Sequence, residues 1–344
     1  MRWAGLAIAL ALVAAASALA EAADDAAEPG PIELQTVTLP FEPVEVRFGD
    51  APLELRNLRI RSADDRWLRL RECDGGLCAA EMARGPMPER LPANAVPGTR
   101  LVTSRAPFLE AWLADPAARE GTGVLPGPLA GAVVGRDRKG RDHRFDLPLD
   151  RGIEALAPRL VDLDGDGIDE IITTTVGAGG GSVLTVLTYR DSGLAIAWES
   201  DAASPGVWRD VVAAADLDGD GVPEIATVTA GDDQGRLELW KRSGEAYVQA
   251  VVLKGFASLV PGTRTAGIAA VADMDGDGIE DIVLPSLDRM SLRVISYAAG
   301  QIAEPYRIAM PGAVVTEIAA YAMKDRKRPV VVAGVSGGYI VLAR

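Results

Sequence analysis

Three short stretches of the sequence place carboxylates around glycines in the same order. They read DLDGDGIDEI from residue 162, DLDGDGVPEI from residue 216 and DMDGDGIEDI from residue 273. Counted from the first aspartate, acidic side chains fall at positions 1, 3, 5 and 9: Asp162, Asp164, Asp166 and Glu170; Asp216, Asp218, Asp220 and Glu224; Asp273, Asp275, Asp277 and Asp281. Position 7 is Ile168, Val222 or Ile279, which can offer its main-chain carbonyl.

Oxygen ligands at alternate positions around a tight turn suit a hard cation of the calcium type, whereas magnesium favours water-rich octahedral sites. Position 6 is glycine in every copy (Gly167, Gly221, Gly278), where a side chain would obstruct the turn. Two carboxylates about 4 Å apart repel each other by up to roughly 4 kcal/mol at an effective dielectric near 20. A solvated turn in which each aspartate caps its own backbone is the alternative. Threefold repetition favours calcium, with one ion per loop and three in all.

The residues that follow each loop predict strands. An EF-hand needs a glutamate at position 12 and helices on both sides, but position 12 is Thr173, Thr227 or Leu284. The downstream runs EIITTTV, EIATVTA and DIVLPSL are short and rich in β-branched residues. Calcium-binding β-helices are excluded because their repeat is about nine residues long.

The loops recur at the spacing of a propeller blade. Their first aspartates, at 162, 216 and 273, are 54 and 57 residues apart. Each period holds an apolar strand, the acidic loop, a second strand, a third such as SVLTVLTY, GRLELWKR or SLRVISY, and a less regular fourth. Four strands per period predict an all-β fold built from propeller blades.

These motifs resemble the FG-GAP or VCBS repeats of integrin-type propellers. The resemblance covers residues 154–310, and it implies calcium bound at the bottom of each blade by the DxDxDGxxD loop. Glu170 and Glu224 occupy position 9, where the family more often has aspartate, so we expect a slightly different metal geometry or affinity in the first two loops. The resemblance implies a fold and a metal but no particular activity.

Outside that span the repeat decays. Aligning the last strands places Tyr321, Met323 and Asp325 at the first three acidic positions, so the final blade has no site. The chain ends one strand short of a complete blade, and we expect a strand from within residues 32–48 to pair there and close the ring. Residues 107–150 predict a blade without the acidic loop, and residues 51–83 either a further blade or a small β subdomain. Five or six blades result, and the Pro-rich stretch 85–98 predicts a linker.

The amino end predicts export. Arg2 precedes the apolar run 6–16 and the small-residue pattern Ala18-Leu19-Ala20, which is typical of a signal peptide over residues 1–20. No later segment predicts a membrane span. The mature chain then divides into an N-terminal β segment (21–100) and the propeller (101–344), and we expect it in the periplasm or outside the cell.

Cys73 and Cys78 bracket a turn and predict a disulfide, with free thiols as the alternative.

Charge and composition narrow the function. The net charge is −14, which argues against nucleic acid and anionic membranes as partners. The mature chain's single histidine, His143, lies in a polar turn, GAGGGS (177–182) predicts a hairpin turn, and the tryptophans predict blade packing. No phosphate loop is present. We therefore expect a non-catalytic scaffold that binds protein or glycan; the alternative is an exported glycan lyase or hydrolase with its site in the central channel.

Overall fold

The computed structural model describes residues 31–48, 58–73, 76–86, 90–104, 108–190, 193–321 and 328–343. The chain divides into two units, Met1–Pro31 and Ile32–Arg344. The signal-peptide prediction for 1–20, and Met323 and Asp325 in the final repeat, lie outside the described residues. Over those residues the second unit is all-β, with 25 strands and a short 3-10 turn at Ala298–Gly300.

The strands form antiparallel groups of four, as expected for propeller blades. Sheet 1 contains β2 (Pro43–Phe48), β3 (Leu58–Ser62), β4 (Trp67–Cys73) and β5 (Gly76–Glu81). Sheet 4 contains β15 (Trp208–Ala215), β16 (Glu224–Ala230), β17 (Arg236–Ser243) and β18 (Ala246–Lys254). Sheet 5 contains β19 (Ala270–Ala272), β20 (Asp281–Pro285), β21 (Ser291–Ser296) and β22 (Ala303–Ala309).

A larger sheet of nine strands joins two further groups of four. Sheet 2 is the part formed by β6 (Val102–Thr103), β7 (Phe108–Ala117), β8 (Leu129–Asp137) and β9 (Asp142–Asp146). Sheet 3 is the part formed by β11 (Arg159–Val161), β12 (Glu170–Val176), β13 (Ser182–Arg190) and β14 (Gly193–Glu199). The two-residue strand β10 (Gly152–Ile153) pairs with both β8 and β12 and so bridges the halves.

The last sheet combines the two ends of the described chain. Sheet 6 contains β23 (Val314–Tyr321), β24 (Val330–Val335) and β25 (Tyr339–Ala343), and its fourth strand is β1 (Leu34–Thr38). Five residue pairs align β1 with β25, from Leu34 opposite Ala343 to Thr38 opposite Tyr339. The expected pairing of a strand from residues 32–48 with the end of the chain is therefore present, and β25 is not left as a bare edge.

Apolar side chains pack between successive sheets, where the second strands are buried. All described residues of β12, β20 and β24 are buried. One cluster joins sheets 5 and 6 through Val283, Val294 and Val331. Others join sheets 4 and 5, 3 and 4, and 2 and 3. Sheets 3, 4 and 5 thus have both faces covered, as in stacked β-sheets.

Sheet 1, which spans Pro43–Glu81, overlaps residues 51–83, predicted as either a further blade or a small β subdomain, and it packs on sheet 6. Leu58, Ile60 and Leu68 lie in one buried cluster with Val332 and Leu342. The stretch predicted as a linker is partly docked. The main-chain N–H of Val96 donates to the Leu113 carbonyl at 2.9 Å, and Val96 is buried. This end of the segment is therefore docked on β7, and the role of 85–98 as a linker stays a prediction.

Candidate metal loops and cavity

The three acidic loops occupy equivalent places in sheets 3, 4 and 5. The first loop (162–170) connects β11 to β12, the second (216–224) connects β15 to β16, and the third (273–281) connects β19 to β20. Each runs from the first to the second strand of its sheet, so the repeat seen in the sequence is also a repeat in space.

The aspartate at position 1 organises each loop through both carboxylate oxygens. Asp162 accepts hydrogen bonds from the N–H groups of Gly165 at 2.8 Å and Gly167 at 2.9 Å. Asp216 and Asp273 accept the same pair of bonds in the second and third loops. Gly167 adopts φ of 84°, in the left-handed region where glycine is favoured, so the spacing that the three turns share has a backbone cause.

The acids at positions 3, 5 and 9 accept the same main-chain hydrogen bonds in all three loops. In the first loop, Asp164 accepts from the N–H of Asp166 at 3.2 Å, Asp166 from that of Ile168 at 2.7 Å, and Glu170 from that of Leu163 at 3.0 Å. The corresponding bonds in the other loops are present at 2.7–3.2 Å. Positions 3 and 5 use Oδ1 for these bonds, so their Oδ2 oxygens face other groups.

Carboxylates from positions 1, 3 and 9 converge in every loop. Ligand atoms from the three residues lie within 4.8 Å of one another in each of the groups Asp162, Asp164 and Glu170; Asp216, Asp218 and Glu224; Asp273, Asp275 and Asp281. The position-5 aspartates Asp166, Asp220 and Asp277 lie in the same loops but outside these groups. Ligation by them, and by the carbonyls of Ile168, Val222 and Ile279, stays a prediction.

The acid at position 9 is the buried end of each cluster. Glu170, Glu224 and Asp281 are 3%, 0% and 1% exposed, respectively. Burial raises the pKa of each of these carboxyls to about 7, and nearby aspartates contribute to the shift. A buried carboxylate beside like charges is costly unless a cation compensates it. The first and third clusters therefore fit a divalent cation held by carboxylate oxygens.

A lysine distinguishes the second loop. The Nζ of Lys241 hydrogen-bonds Oδ2 of Asp218 and lies 2.9 Å from Oδ2 of Asp220 and 3.7 Å from Oε1 of Glu224. These hydrogen bonds raise the pKa of Lys241 above its ordinary value. Sequence reasoning missed this residue, because its place beside the acidic loop is set by the pairing of β17 with β16.

A second candidate region is a cavity of about 470 Å³ among the first strands of several sheets. Val102, Arg159, Asp210 and Glu317 line it, on β6, β11, β15 and β23, together with Arg100 and other residues. Arg100 pairs with Glu317, and Arg159 donates to the carbonyls of Val211 and Val212 at 2.7 and 2.9 Å. The sequence analysis did not single out these residues, because they are far apart in the chain.

Asp210 is the carboxyl in this cavity whose pKa is raised by its surroundings. It accepts a hydrogen bond from the Gly267 N–H at 2.7 Å. Burial raises its pKa to about 6, while the Gly267 bond and the charge of Arg159 oppose that shift. A carboxyl whose pKa is raised by burial inside a polar cavity is a feature of binding and catalytic sites.

The other residues singled out in the sequence lie in packed, hydrogen-bonded or cross-linked positions of the fold. His143 lies on β9 rather than in a turn, 3.1 Å from Asp137 and edge-on to Tyr189, so the turn prediction was wrong. Trp112 and Trp208 are 1% exposed, which confirms their packing role. Residues 177–182 link β12 to β13 as a hairpin turn, with Gly180 N–H donating to the Gly177 carbonyl. The structure joins Cys73 and Cys78 as a disulfide across the β4–β5 hairpin.

Comparison with known proteins agrees with the loop motif. Residues 162–227, which include the first and second acidic loops, match the family described as FG-GAP-like repeat. The match agrees with the repeat type that the acidic motifs of this span predicted.

Solved structures provide distant similarities. The crystal structures of AofleA from Arthrobotrys oligospora and of a triple arginine-to-alanine mutant of it are 13% and 12% identical to this chain, with TM-scores of 0.38 and 0.39. Each similarity covers 89% of this chain and 84% of the other. A search of curated proteins gave no match. Within the described ranges, no helix has the length and apolar character needed to cross a membrane.

Proposed function

We propose that the protein is an exported, calcium-stabilised β-propeller that serves as a non-catalytic binding scaffold. The supporting observation is the repetition of one loop geometry in sheets 3, 4 and 5, with position-1, position-3 and position-9 carboxylates converging each time. Six groups of four strands, and the pairing of β1 with β25, support a six-bladed ring closed by the N-terminal strand. Calcium fits the hard oxygen ligands, and it relieves the repulsion within the clusters.

The role of the scaffold is to hold a protein or glycan ligand. Hairpins such as those at 177–181 and 244–245 are short, and the longest connection within the repeats, 255–269, is anchored by the buried Phe256 and Leu259. The surface is therefore built without long unsupported insertions. Rigid frames lower the entropic cost of binding, because little has to be ordered when the ligand arrives. The signal-peptide sequence supports action in the periplasm or outside the cell.

Metal content and ligand binding test this proposal separately. Mature protein purified without chelator should contain calcium by elemental analysis and should bind calcium again after chelation. Glycan arrays and binding assays with surface extracts, run with calcium-loaded and chelated protein, should give a ligand that is retained by the loaded form. A chain that never takes up calcium would refute the metal part, and turnover of a glycan would refute the non-catalytic part.

The cavity gives the enzyme alternative its specific support. A carboxyl with a raised pKa, Asp210, lies in the same polar cavity as a second carboxyl, Glu317, and paired carboxyls act in glycoside cleavage. Both are already engaged, Asp210 by the Gly267 N–H and Glu317 by Arg100. This engagement favours binding over catalysis. Glycan cleavage that is lost in both Asp210→Asn and Glu317→Gln would favour the enzyme instead.

A further inference from the structure

The residue that faces the buried position-9 acid differs among the three loops. The ladders place Ile171 opposite Leu187, Ile225 opposite Trp240 and Ile282 opposite Ile295. One step along each ladder brings Thr188, Lys241 and Ser296 beside Glu170, Glu224 and Asp281. Because the position is the same, the three side chains can be compared directly as neighbours of one cluster.

Two of these neighbours are neutral hydroxyls. Thr188 Oγ1 donates to Oε1 of Glu170 at 3.1 Å, and Ser296 hydrogen-bonds the carboxyl of Asp281. A hydroxyl adds no charge, so neither Thr188 nor Ser296 compensates the position-9 acid beside it. In the first cluster Arg242 lies 4.0 Å from Oδ2 of Asp164, which is beyond hydrogen-bonding distance of that carboxylate. An added cation between the carboxylates would supply the remaining compensation in both clusters.

The third neighbour carries the compensating charge itself. Lys241 Nζ contacts Asp218 and Asp220 directly, and it lies 3.7 Å from Oε1 of Glu224. That oxygen is buried and has no hydrogen-bond partner among the described residues, so the ammonium acts on it through charge alone. Calcium would have to lie about 2.3–2.6 Å from the same oxygens, in the space that the ammonium takes.

Resting on the calcium proposal above, we propose that Lys241 replaces the metal in the second loop, so that the chain binds two calcium ions rather than three. The first loop (162–170) and the third (273–281) hold the ions. The second loop (216–224) keeps its shape without metal, and with it the contact in which the Ala299 N–H donates to the Asp218 carbonyl at 3.0 Å.

Calcium stoichiometry of three variants tests this inference. Each full mature chain is stripped with chelator, dialysed against free calcium and analysed by native mass spectrometry and elemental analysis. We expect two ions for the native chain, three for Lys241→Thr, which copies the first loop, and two for Lys241→Arg, which keeps the charge. Thr188→Lys, the reciprocal change, should reduce the native count from two to one.

Hydrogen exchange of the native chain provides a readout that needs no variant. After chelation, amides of 162–170 and 273–281 should lose protection, whereas amides of 216–224 should keep it. Three ions in the native chain, or equal loss of protection in all three loops, would overturn the role of Lys241. A native chain that takes up no calcium, with the third ion also missing from Lys241→Thr, would instead refute the calcium proposal itself.

Discussion

Thr36 on β1 lies opposite Val341 on β25, so the first described strand completes the sheet formed by the last three. Between these strands the chain passes through every other sheet. Pairing of two distant segments of one chain makes the stability of sheet 6 depend on both. Loss of β1 would uncover the edge of β25 and the apolar cluster that Val37 shares with Ile340 and Leu342.

Val37→Asp should therefore destabilise the whole described domain. Val37 is 4% exposed, and an unpaired carboxylate at such a position should lower the free energy of unfolding by about 3 kcal/mol or more. Thr36→Asp is the matched control, because Thr36 is exposed on the same strand and should change stability only slightly. Denaturant unfolding followed by tryptophan fluorescence measures both. Equal effects of the two substitutions would refute a structural role for β1.

Calcium removal should lower the thermal midpoint, and calcium readdition should restore it. Once free calcium exceeds the dissociation constant, each tenfold rise should add about 1.4 kcal/mol per site to stability, because the ion binds only the folded loops. Scanning calorimetry at several calcium concentrations measures this slope.

Glu170→Gln tests which residues create that calcium dependence. The amide keeps the size of the side chain and can still accept from the Leu163 N–H, but it removes the buried negative charge of the first loop. The variant should be less sensitive to chelator than the native chain and should bind one ion fewer. Asp142→Asn, an exposed change outside the loops, should leave the calcium slope unchanged.

The ion pair between Arg209 and Glu238 should contribute strongly to stability. Its side chains are 9% and 5% exposed and lie 2.8 Å apart. Glu238→Gln leaves the guanidinium buried without its charged partner and should cost about 3–5 kcal/mol. Glu81→Gln, which breaks the exposed pair with Arg66, should cost less than about 1 kcal/mol. Denaturant unfolding measures both variants. Similar losses of unfolding free energy would contradict the stronger contribution of the buried ion pair.

The sequence alone was sufficient to predict the features that depend on the spacing of nearby residues. Alternating aspartates and glycines determine the acidic loops, since each aspartate binds N–H groups two to five residues away. The β-branched runs after the loops form the predicted strands β12, β16 and β20. A missing fourth strand at the end of the chain was enough to predict the pairing of β1 with β25.

Features that depend on register between strands could not be predicted in the same way. Lys241 reaches the second loop only because β17 pairs with β16 in one particular register. The bridge β10 has two residues, too few to give a periodic pattern. The cavity joins Arg100 to Glu317 across more than half of the chain, and no local signal links such residues.

Asp210 should make the stability of the protein depend on pH in a direction opposite to that of an ordinary paired carboxylate. Burial raises its pKa from 3.8 to about 6 in the folded chain, where Arg159 and Glu317 also act on it. Between about pH 4 and 6 the folded state therefore binds more protons than the unfolded state at this group, so its contribution to stability falls as the pH rises. Asp210→Asn removes this titration, and its deficit relative to the native chain should shrink as the pH rises through that window.

Asp146→Asn is the control for this pH effect. Arg144 donates to Asp146 and lowers its pKa, so the titration of Asp146 affects stability below about pH 4, where stability rises with pH. Between pH 4 and 6 the curve for Asp146→Asn should therefore run parallel to that of the native chain, while the curve for Asp210→Asn should converge towards it. Denaturant unfolding at half-unit pH intervals in chelator excludes any contribution from bound calcium. Parallel curves for both variants would show that the Asp210 carboxyl titrates in the folded chain as it does in the unfolded one.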